Sequence, residues 1–184
     1  MEAVSEFDAI VEQSIKALSA DARITNWQAK EHNWVSYFAF QHLLRHCRPE
    51  GVISHPGQIG IEVGVPQPPD CGFAAQATRR DLVIWPTTGM TCWDADWNPV
   101  HHPLAILERK VHRPGRKNRF VAHERRWLNS YCTWQQSVIA YAIEIDGSIN
   151  PSTITCSRFL GSEERTDWLK VQIATAVSRQ PRAD

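Results

Sequence analysis

Glu108 and Lys110 are the residues whose types and spacing first suggest chemistry, because they close an apolar run in "PLAILERK". Alternation along a strand puts both side chains on one face, together with Leu104 and Ile106. Asp81 stands at the start of the preceding apolar run, "RRDLVIW". If the two runs pair as a hairpin, the start of the first lies beside the end of the second. The sequence therefore predicts two carboxylates and an amine at one end of a sheet.

Two carboxylates placed in this way make a site for Mg²⁺ or Mn²⁺, since hard cations prefer oxygen ligands and keep several waters. A bound ion polarises a phosphoryl oxygen and lowers the pKa of a coordinated water. Lys110 is suited to orient that water, or to offset the negative charge that grows on the phosphate. Asp81 and Glu108 are thus the predicted metal ligands, and the predicted chemistry is phosphodiester hydrolysis.

These residues need a framework, which hydrophobic periodicity outlines. The predicted elements are helices over 3–19 and 27–47, strands over 57–65 and 79–86, the strand containing "LAILERK", a helix over 120–136, a strand over 137–146 and a helix over 163–178. The pattern of residues 152–160 is ambiguous between helix and strand. From 27 to 146 the first three strands are expected to be antiparallel neighbours, and the fourth to return in parallel through a helical crossover.

With this order of elements, "RRDLVIW" followed by "LAILERK" resembles the PD-(D/E)xK, or restriction-endonuclease-like, nuclease superfamily over about residues 27–146. The resemblance implies an α/β fold with a mixed sheet and an αβββαβ core, to which hydrophobic periodicity adds the N- and C-terminal helices. It implies that Asp81, Glu108 and Lys110 carry metal binding and catalysis, with Mg²⁺ (or Mn²⁺) as the cofactor. Many members add a glutamate from the first core helix, for which Glu31 is the candidate.

A basic stretch follows the motif directly, with eight lysines and arginines but only one acid within residues 109–126. A local basic surface on a protein without net charge is typical of nucleic-acid binding. The residues expected to contact phosphate are Arg113, Arg116, Lys117 and Arg119. Such contacts carry no sequence information, so the expected partner is nucleic acid, with DNA as the first choice and no base preference. A solvated loop and an exposed helix face remain the alternative.

Composition limits the broader possibilities. The length of 184 residues suits a single domain over 1–184, and the formal net charge of zero argues against a general polyanion binder. No apolar run approaches the ~20 residues that span a bilayer, so no membrane contact is expected. Five scattered cysteines without a Cys-x-x-Cys pair favour a reducing cytoplasm. The helices over 3–19 and 163–178 are expected to cover the sheet or to form a homodimer contact.

Glu62 and the long connection over 87–102 complete the candidate features. Glu62 lies on the polar face of its strand and is expected to face solvent, with a further metal contact as the alternative. The connection is expected to be held against the sheet by Trp93 and Trp97, and base stacking by these rings is the alternative.

Two other functions stay open from the sequence. The same fold can be catalytically inactive and serve as a nucleic-acid or protein binding module. The chain can also be a non-nuclease α+β protein, in which Glu108 and Lys110 form an exposed ion pair worth under ~1 kcal/mol.

Overall fold

A computed structural model describes residues 2–25, 31–69, 76–112, 122–147 and 152–173. The elements are, in chain order, α1 (Glu2–Thr25), α2 (Glu31–Tyr37), β1 (Ile59–Pro66), β2 (Ala77–Ile84), β3 (Ala105–His112), α3 (Ala122–Trp134), β4 (Ile139–Asp146), β5 (Ser152–Leu160) and β6 (Glu163–Ile173). The helix α2 continues through a π-helical turn and a 3-10 turn as far as His46. The protein is a mixed α/β fold built on one six-stranded sheet.

The strands lie in the sheet in their chain order, from β1 at one edge to β6 at the other. Every neighbouring pair is antiparallel except β3 and β4, which are parallel. The helix α3 lies between them in the chain and makes the crossover. The predicted order of helix, three strands, helix and strand is confirmed, as are the antiparallel β1–β2–β3 unit and the parallel β4. Parallel pairs are usually covered on both faces, which fits the apolar runs of β3 and β4.

Two hydrophobic cores cover the two faces of the sheet. The first core packs α1 and α2 against one face, and its largest contributions from α1 are Phe7, Val11, Ile15 and Leu18. These residues recur at helical spacing, which explains why the segment is an amphipathic helix. The second core packs α3 against the opposite face, through Trp127, Leu128, Tyr131 and Cys132. In β4 alternate residues enter the two cores, as the period of a strand requires.

The helix α1 is held to the sheet by a polar contact as well as by its apolar stripe. Asp8 Oδ1 accepts a hydrogen bond from the hydroxyl of Tyr141 and another from Nε of Arg158, both at 2.8 Å. Arg158 is a buried side chain with 8% exposure, so Asp8 supplies its counter-charge. One carboxylate therefore ties α1 to two neighbouring strands, β4 and β5.

The C-terminal helix predicted over 163–178 is wrong, because residues 163–173 form β6 instead. Residues 174–178 lie outside the described residues. Gly161 and Ser162 make a two-residue connection between β5 and β6, and Gly161 adopts a positive φ of 56°. A two-residue loop with glycine at positive φ is a strong hairpin signal, and pairing with β5 then outweighs the helical spacing of the apolar residues. The ambiguous segment 152–160 is the partner strand, β5.

A reversal of faces in the β1–β2 hairpin shapes the region around the predicted site. Ile59 and Ile61 pack against the first core, whereas Val63 and Val65 pack with the second. In a regular strand these four residues would share one face. Glu62 lies at the reversal and has a φ of 55°, a left-handed conformation that is rare for a residue with a side chain. The outer half of the hairpin is thereby turned toward α3.

Candidate functional site at the strand fork

The candidate site lies where β2 and β3 separate. Their paired residues end with Leu82 opposite Leu107. One residue farther, Asp81 Oδ2 accepts a hydrogen bond of 2.8 Å from the backbone N–H of Arg109. The structure thus places the Asp81 carboxylate beside the peptide that joins Glu108 to Arg109, which is the neighbourhood that the hairpin pairing predicted.

Glu108 and Lys110 both lie on the α3 side of β3. Ile106 on the same face belongs to the second core, and Lys110 Nζ lies 3.2 Å from Oε1 of Glu124 on α3. The predicted grouping of Ile106, Glu108 and Lys110 on one face is confirmed. Leu104 does not join it, because the strand begins after Leu104 and its side chain packs against the first core.

Glu108 is almost completely buried, with 5% of its surface exposed. Burial raises the pKa of Glu108 to about 7, and the nearby Asp81 carboxylate adds to the rise, whereas the charges of Arg80 and Lys110 oppose it. Arg80 Nη1 donates a hydrogen bond of 3.2 Å to Glu108 Oε1. A buried carboxyl group of this kind responds strongly to any cation placed next to it.

The pKa of Asp81 is raised as well, first by burial and also by the negative charge of Glu62. The hydrogen bond from Arg109 and the positive charges of Arg109 and Lys110 oppose this rise. In the register of β1 and β2, Ile61 pairs with Leu82 and Val63 pairs with Arg80. Glu62 and Asp81 lie between these two pairs. Asp81 therefore interacts electrostatically with both Glu62 and Glu108. Acids with pKa values perturbed by burial and by neighbouring charges are concentrated at functional sites.

Arg80 is a site residue that sequence reasoning missed. Its guanidinium lies 3.6 Å from the centroid of the Trp127 ring, and Nη2 donates a hydrogen bond of 3.1 Å to Thr78 Oγ1. Strict alternation along β2 places Arg80 on the same face as Leu82, in the first core. The reversal of faces brings it to the α3 side instead, against Glu108.

The donor set at the fork fits a hard divalent cation. Such an ion is commonly held by one or two carboxylates and keeps several waters, and Asp81 and Glu108 supply two carboxylates. Arg109 donates to Oδ2 of Asp81, and Arg80 donates to Oε1 of Glu108, so each carboxylate has a second oxygen for a metal ion. Within the described part of the chain, no three His, Cys, Asp or Glu side chains are grouped as metal ligands. Water or substrate would complete the coordination.

A polar row continues along β3 beyond Lys110. His112 Nε2 lies 3.3 Å from Glu144 Oε2 on β4, and Arg125 Nη1 on α3 lies 3.4 Å from the other oxygen of Glu144. Arg125 also donates a hydrogen bond of 2.8 Å to Ser157 on β5. Arg125 therefore fixes α3 to two strands, β4 and β5, and α3 also carries Glu124, the partner of Lys110.

Five other predicted site residues are not placed relative to the fork. Glu31 is the first residue of α2, but its side chain is outside the described part of the structure. The predicted phosphate contacts also lie outside the described residues: Arg113, Arg116, Lys117 and Arg119.

The connection between β2 and β3 is only partly held against the sheet. Trp93 packs against the second core as expected, whereas Trp97 is 74% exposed, so the expectation is wrong for Trp97. Asp94 Oδ1 accepts the backbone N–H groups of Asp96 at 2.9 Å and of Asn98 at 2.8 Å. This tight turn gives Trp97 a φ of 62° and presents its ring to solvent.

Comparison with known proteins adds no relationship to this geometry. No family model matches the chain, and neither a curated protein nor a solved structure matches it. Among the helices that the structure describes, none has the length and apolar character needed to cross a membrane. Function therefore has to be inferred from the fork itself.

Proposed function

We propose that the protein is a metal-dependent nuclease of the PD-(D/E)xK type, which hydrolyses phosphodiester bonds of nucleic acid, with DNA as the expected substrate. The observation that carries the proposal is the hydrogen bond from the N–H of Arg109 to Asp81, because it sets Asp81 beside Glu108 where two strands part. The order of helices and strands from α2 to β4 supports a restriction-endonuclease-like core. The order of elements does not depend on the local motif "LERK".

Each residue of the fork has a distinct role in this proposal. Asp81 and Glu108 would hold Mg²⁺ or Mn²⁺, and the ion would supply Lewis acidity to a phosphoryl oxygen and to water. Lys110, held by Glu124 at 3.2 Å, would orient the attacking water and offset the charge growing on phosphate. The water oxygen forms the new bond to phosphorus, one P–O ester bond breaks, and a proton ends on the released hydroxyl group.

Substrate binding is assigned to the stretch that follows β3. Because Lys110 and the basic residues lie on one continuous segment, we assign phosphate contacts to Arg113, Arg116, Lys117 and Arg119, and an outer contact to Glu31. A homodimer would bring two such sites to the two strands of a duplex. The four described cysteines are free thiols, which supports a reducing, cytoplasmic location.

One observation favours a second function, a catalytically inactive binding module with the same fold. Glu108 is already paired with Arg80, and Lys110 is already paired with Glu124. In a protein that never binds a metal ion, these two pairs would be the final state of the site. Metal binding and cleavage distinguish the two functions.

The test is a cleavage assay with the full chain in Mn²⁺ or Mg²⁺, over linear, circular and single-stranded DNA and over RNA, with EDTA as the metal-free arm. The variants are Asp81→Asn, Glu108→Gln and Lys110→Met, which keep the size of each side chain. Exposed residues provide matched controls, Asp96→Asn and Lys170→Met. We expect each site variant to lose at least about 100-fold in rate, as for removal of a catalytic group or transition-state donor, while the controls keep wild-type rates.

Cleavage that persists in all three site variants would contradict the assignment of the fork. If the folded wild type binds nucleic acid, cuts no substrate and gains no thermal stability from Mn²⁺, the binding module replaces the nuclease.

A further inference from the structure

We propose that Arg80 and the catalytic metal ion are alternative counter-ions of Glu108, so that Arg80 occupies this carboxylate in the metal-free protein and is displaced when the ion binds. The inference rests on the proposed function and concerns how the same site is regulated. Arg80 would then compete with the metal ion for Glu108 and would set the metal concentration at which the site becomes occupied.

The first support is the contact itself. Arg80 Nη1 lies 3.2 Å from Glu108 Oε1, and the two side chains are only 9% and 7% exposed. A carboxylate taken out of water needs a cation or several hydrogen-bond donors beside it. Lys110, the other lysine or arginine with a described position on this face of β3, is paired with Glu124. Arg80 is therefore the direct ion-pair partner of Glu108.

The second support is electrostatic. A guanidinium and a divalent cation repel each other, and the repulsion is strong at a site with little water to screen it. If both were bound to Glu108, each cation would lower the affinity of the carboxylate for the other. This is a negative coupling between two binding events. The ion carries twice the charge and also binds Asp81, so it is the stronger of the two competitors.

The third support is that Arg80 lies beyond the paired part of β2 and β3 and is incompletely satisfied there. The paired residues of β2 and β3 end at Leu82, so Arg80 lies on the part of β2 that has left β3. Moving its guanidinium away from Glu108 leaves the backbone pairs between β2 and β3 intact. Its Nε is buried without a hydrogen-bond partner, so the arrangement with Glu108 leaves one donor of Arg80 unsatisfied. The Trp127 ring at 3.6 Å provides a surface along which the planar group can shift.

The experiment measures Mn²⁺ binding by electron paramagnetic resonance of the free ion, and thermal unfolding with and without Mn²⁺, on the full chain. Arg80→Met removes the competing charge, and Arg80→Lys keeps it. Arg79→Met is the matched control, since it removes the same charge from the neighbouring, exposed position of β2. Thr78→Val keeps Arg80 but removes one of its hydrogen bonds, and serves if Arg80→Met does not fold.

We expect Arg80→Met to bind Mn²⁺ about 5- to 150-fold more tightly than the wild type, the usual range for couplings between ligands. Its Tm should be lower without metal, and Mn²⁺ should raise it by more than in the wild type. Arg80→Lys and Arg79→Met should bind Mn²⁺ like the wild type, and Thr78→Val should bind it more tightly, but less so than Arg80→Met.

Mn²⁺ affinity that is unchanged or weaker in folded Arg80→Met, together with metal-dependent cleavage by the wild type, overturns this inference and leaves the nuclease assignment standing. When Arg80→Met is unfolded, unchanged affinity in Thr78→Val has the same meaning. If neither the wild type nor any variant binds Mn²⁺, and nothing is cleaved, the inference and the proposed function both fail.

Discussion

Asp81 Oδ2 accepts the backbone N–H of Arg109 at 2.8 Å, at the position where the next main-chain pair between β2 and β3 would be expected. A side-chain oxygen thus accepts a hydrogen bond from a strand N–H just beyond the last backbone pair, Leu82 with Leu107. The strands can separate at this point without leaving the N–H of Arg109 unsatisfied, which would be costly inside a protein. The same bond orients the carboxylate along the fork, next to Glu108.

The left-handed backbone of Glu62 predicts an unusual order of stability. At a φ of 55° glycine has no steric strain, whereas a residue with Cβ is strained by roughly 1–2 kcal/mol. We expect Glu62→Gly to be more stable than Glu62→Ala by about 1 kcal/mol. Arg79, an exposed residue of β2 without a positive φ, is the control, and there Ala should be more stable than Gly. Urea unfolding measures the free energy of unfolding of the Gly and Ala variants at both positions. If Ala were more stable than Gly at Glu62 as well as at Arg79, the backbone of Glu62 would not be strained.

The raised pKa of Glu108 predicts that the metal-free protein loses stability as pH rises. Folding moves this pKa from near 4.5 to about 7, so the folded state binds the proton more tightly than the unfolded state. The contribution of Glu108 is complete below pH 4.5 and is lost as pH rises through 7. Relative to Glu108→Gln, which stays neutral, the wild type should lose up to about 3 kcal/mol between these values. Urea unfolding in EDTA measures the difference, and parallel pH curves for the two proteins would show that Glu108 does not titrate in this window.

Removal of the Asp8 carboxylate should loosen α1. Asp8→Ala leaves the buried guanidinium of Arg158 without its counter-charge and the Tyr141 hydroxyl without its acceptor. We expect a loss of about 2 kcal/mol, somewhat below the range for fully buried pairs because Asp8 is partly exposed. Asp8→Asn, which keeps an acceptor oxygen, should lose less. Glu12→Ala, in a surface pair on the same helix, should change stability by under ~1 kcal/mol. Equal Tm values for Asp8→Ala and Glu12→Ala would contradict the anchoring role.

Asp94 should control the local order of the connection that carries Trp97. Its carboxylate accepts two backbone N–H groups, and the hydrogen bond from Asn98 is the main cause of its lowered pKa. In Asp94→Ala the amides of Asp96 and Asn98 should exchange with deuterium much faster, with little change in Tm. Asp96→Ala in the same turn is the control. Because the folded pKa of Asp94 is lowered, its contribution is present above the unfolded pKa and is lost as pH falls through the folded value. Unchanged exchange in Asp94→Ala would show that the turn forms without this carboxylate.

Local pattern was sufficient to predict the strands that carry the candidate site. The runs before Glu108 and after Asp81 are apolar and short, which is typical of buried strands. Side chains alternate between the two faces of a strand, so Glu108 and Lys110 share one face whichever strand lies next to them. The parallel return of β4 followed from the helix between it and β3. These predictions depend on patterns among residues that are close together in the chain, and the sequence shows such patterns directly.

Long-range geometry accounts for what the sequence did not reveal. The place of Arg80 depends on the change of faces at Glu62, and no residue type there signals a positive φ. Alternation, applied through this point, assigns Arg80 to the wrong face, whereas Glu62 is exposed as expected. The identity of β6 likewise depends on pairing with β5, since Trp168 and Leu169 suit an amphipathic helix equally well in isolation.

Because the six strands lie in the sheet in their chain order, they also become available for folding in that order during translation. The fork is formed by β2 and β3, so all of its backbone has been synthesised by residue 112. The crossover helix and β4 end 34 residues later, at residue 146. At translation rates of about 5–20 residues per second, these 34 residues take roughly 2 to 7 seconds. For that interval a nascent chain carries Asp81 and Glu108 without α3, which contributes Trp127 against Arg80 and Glu124 beside Lys110.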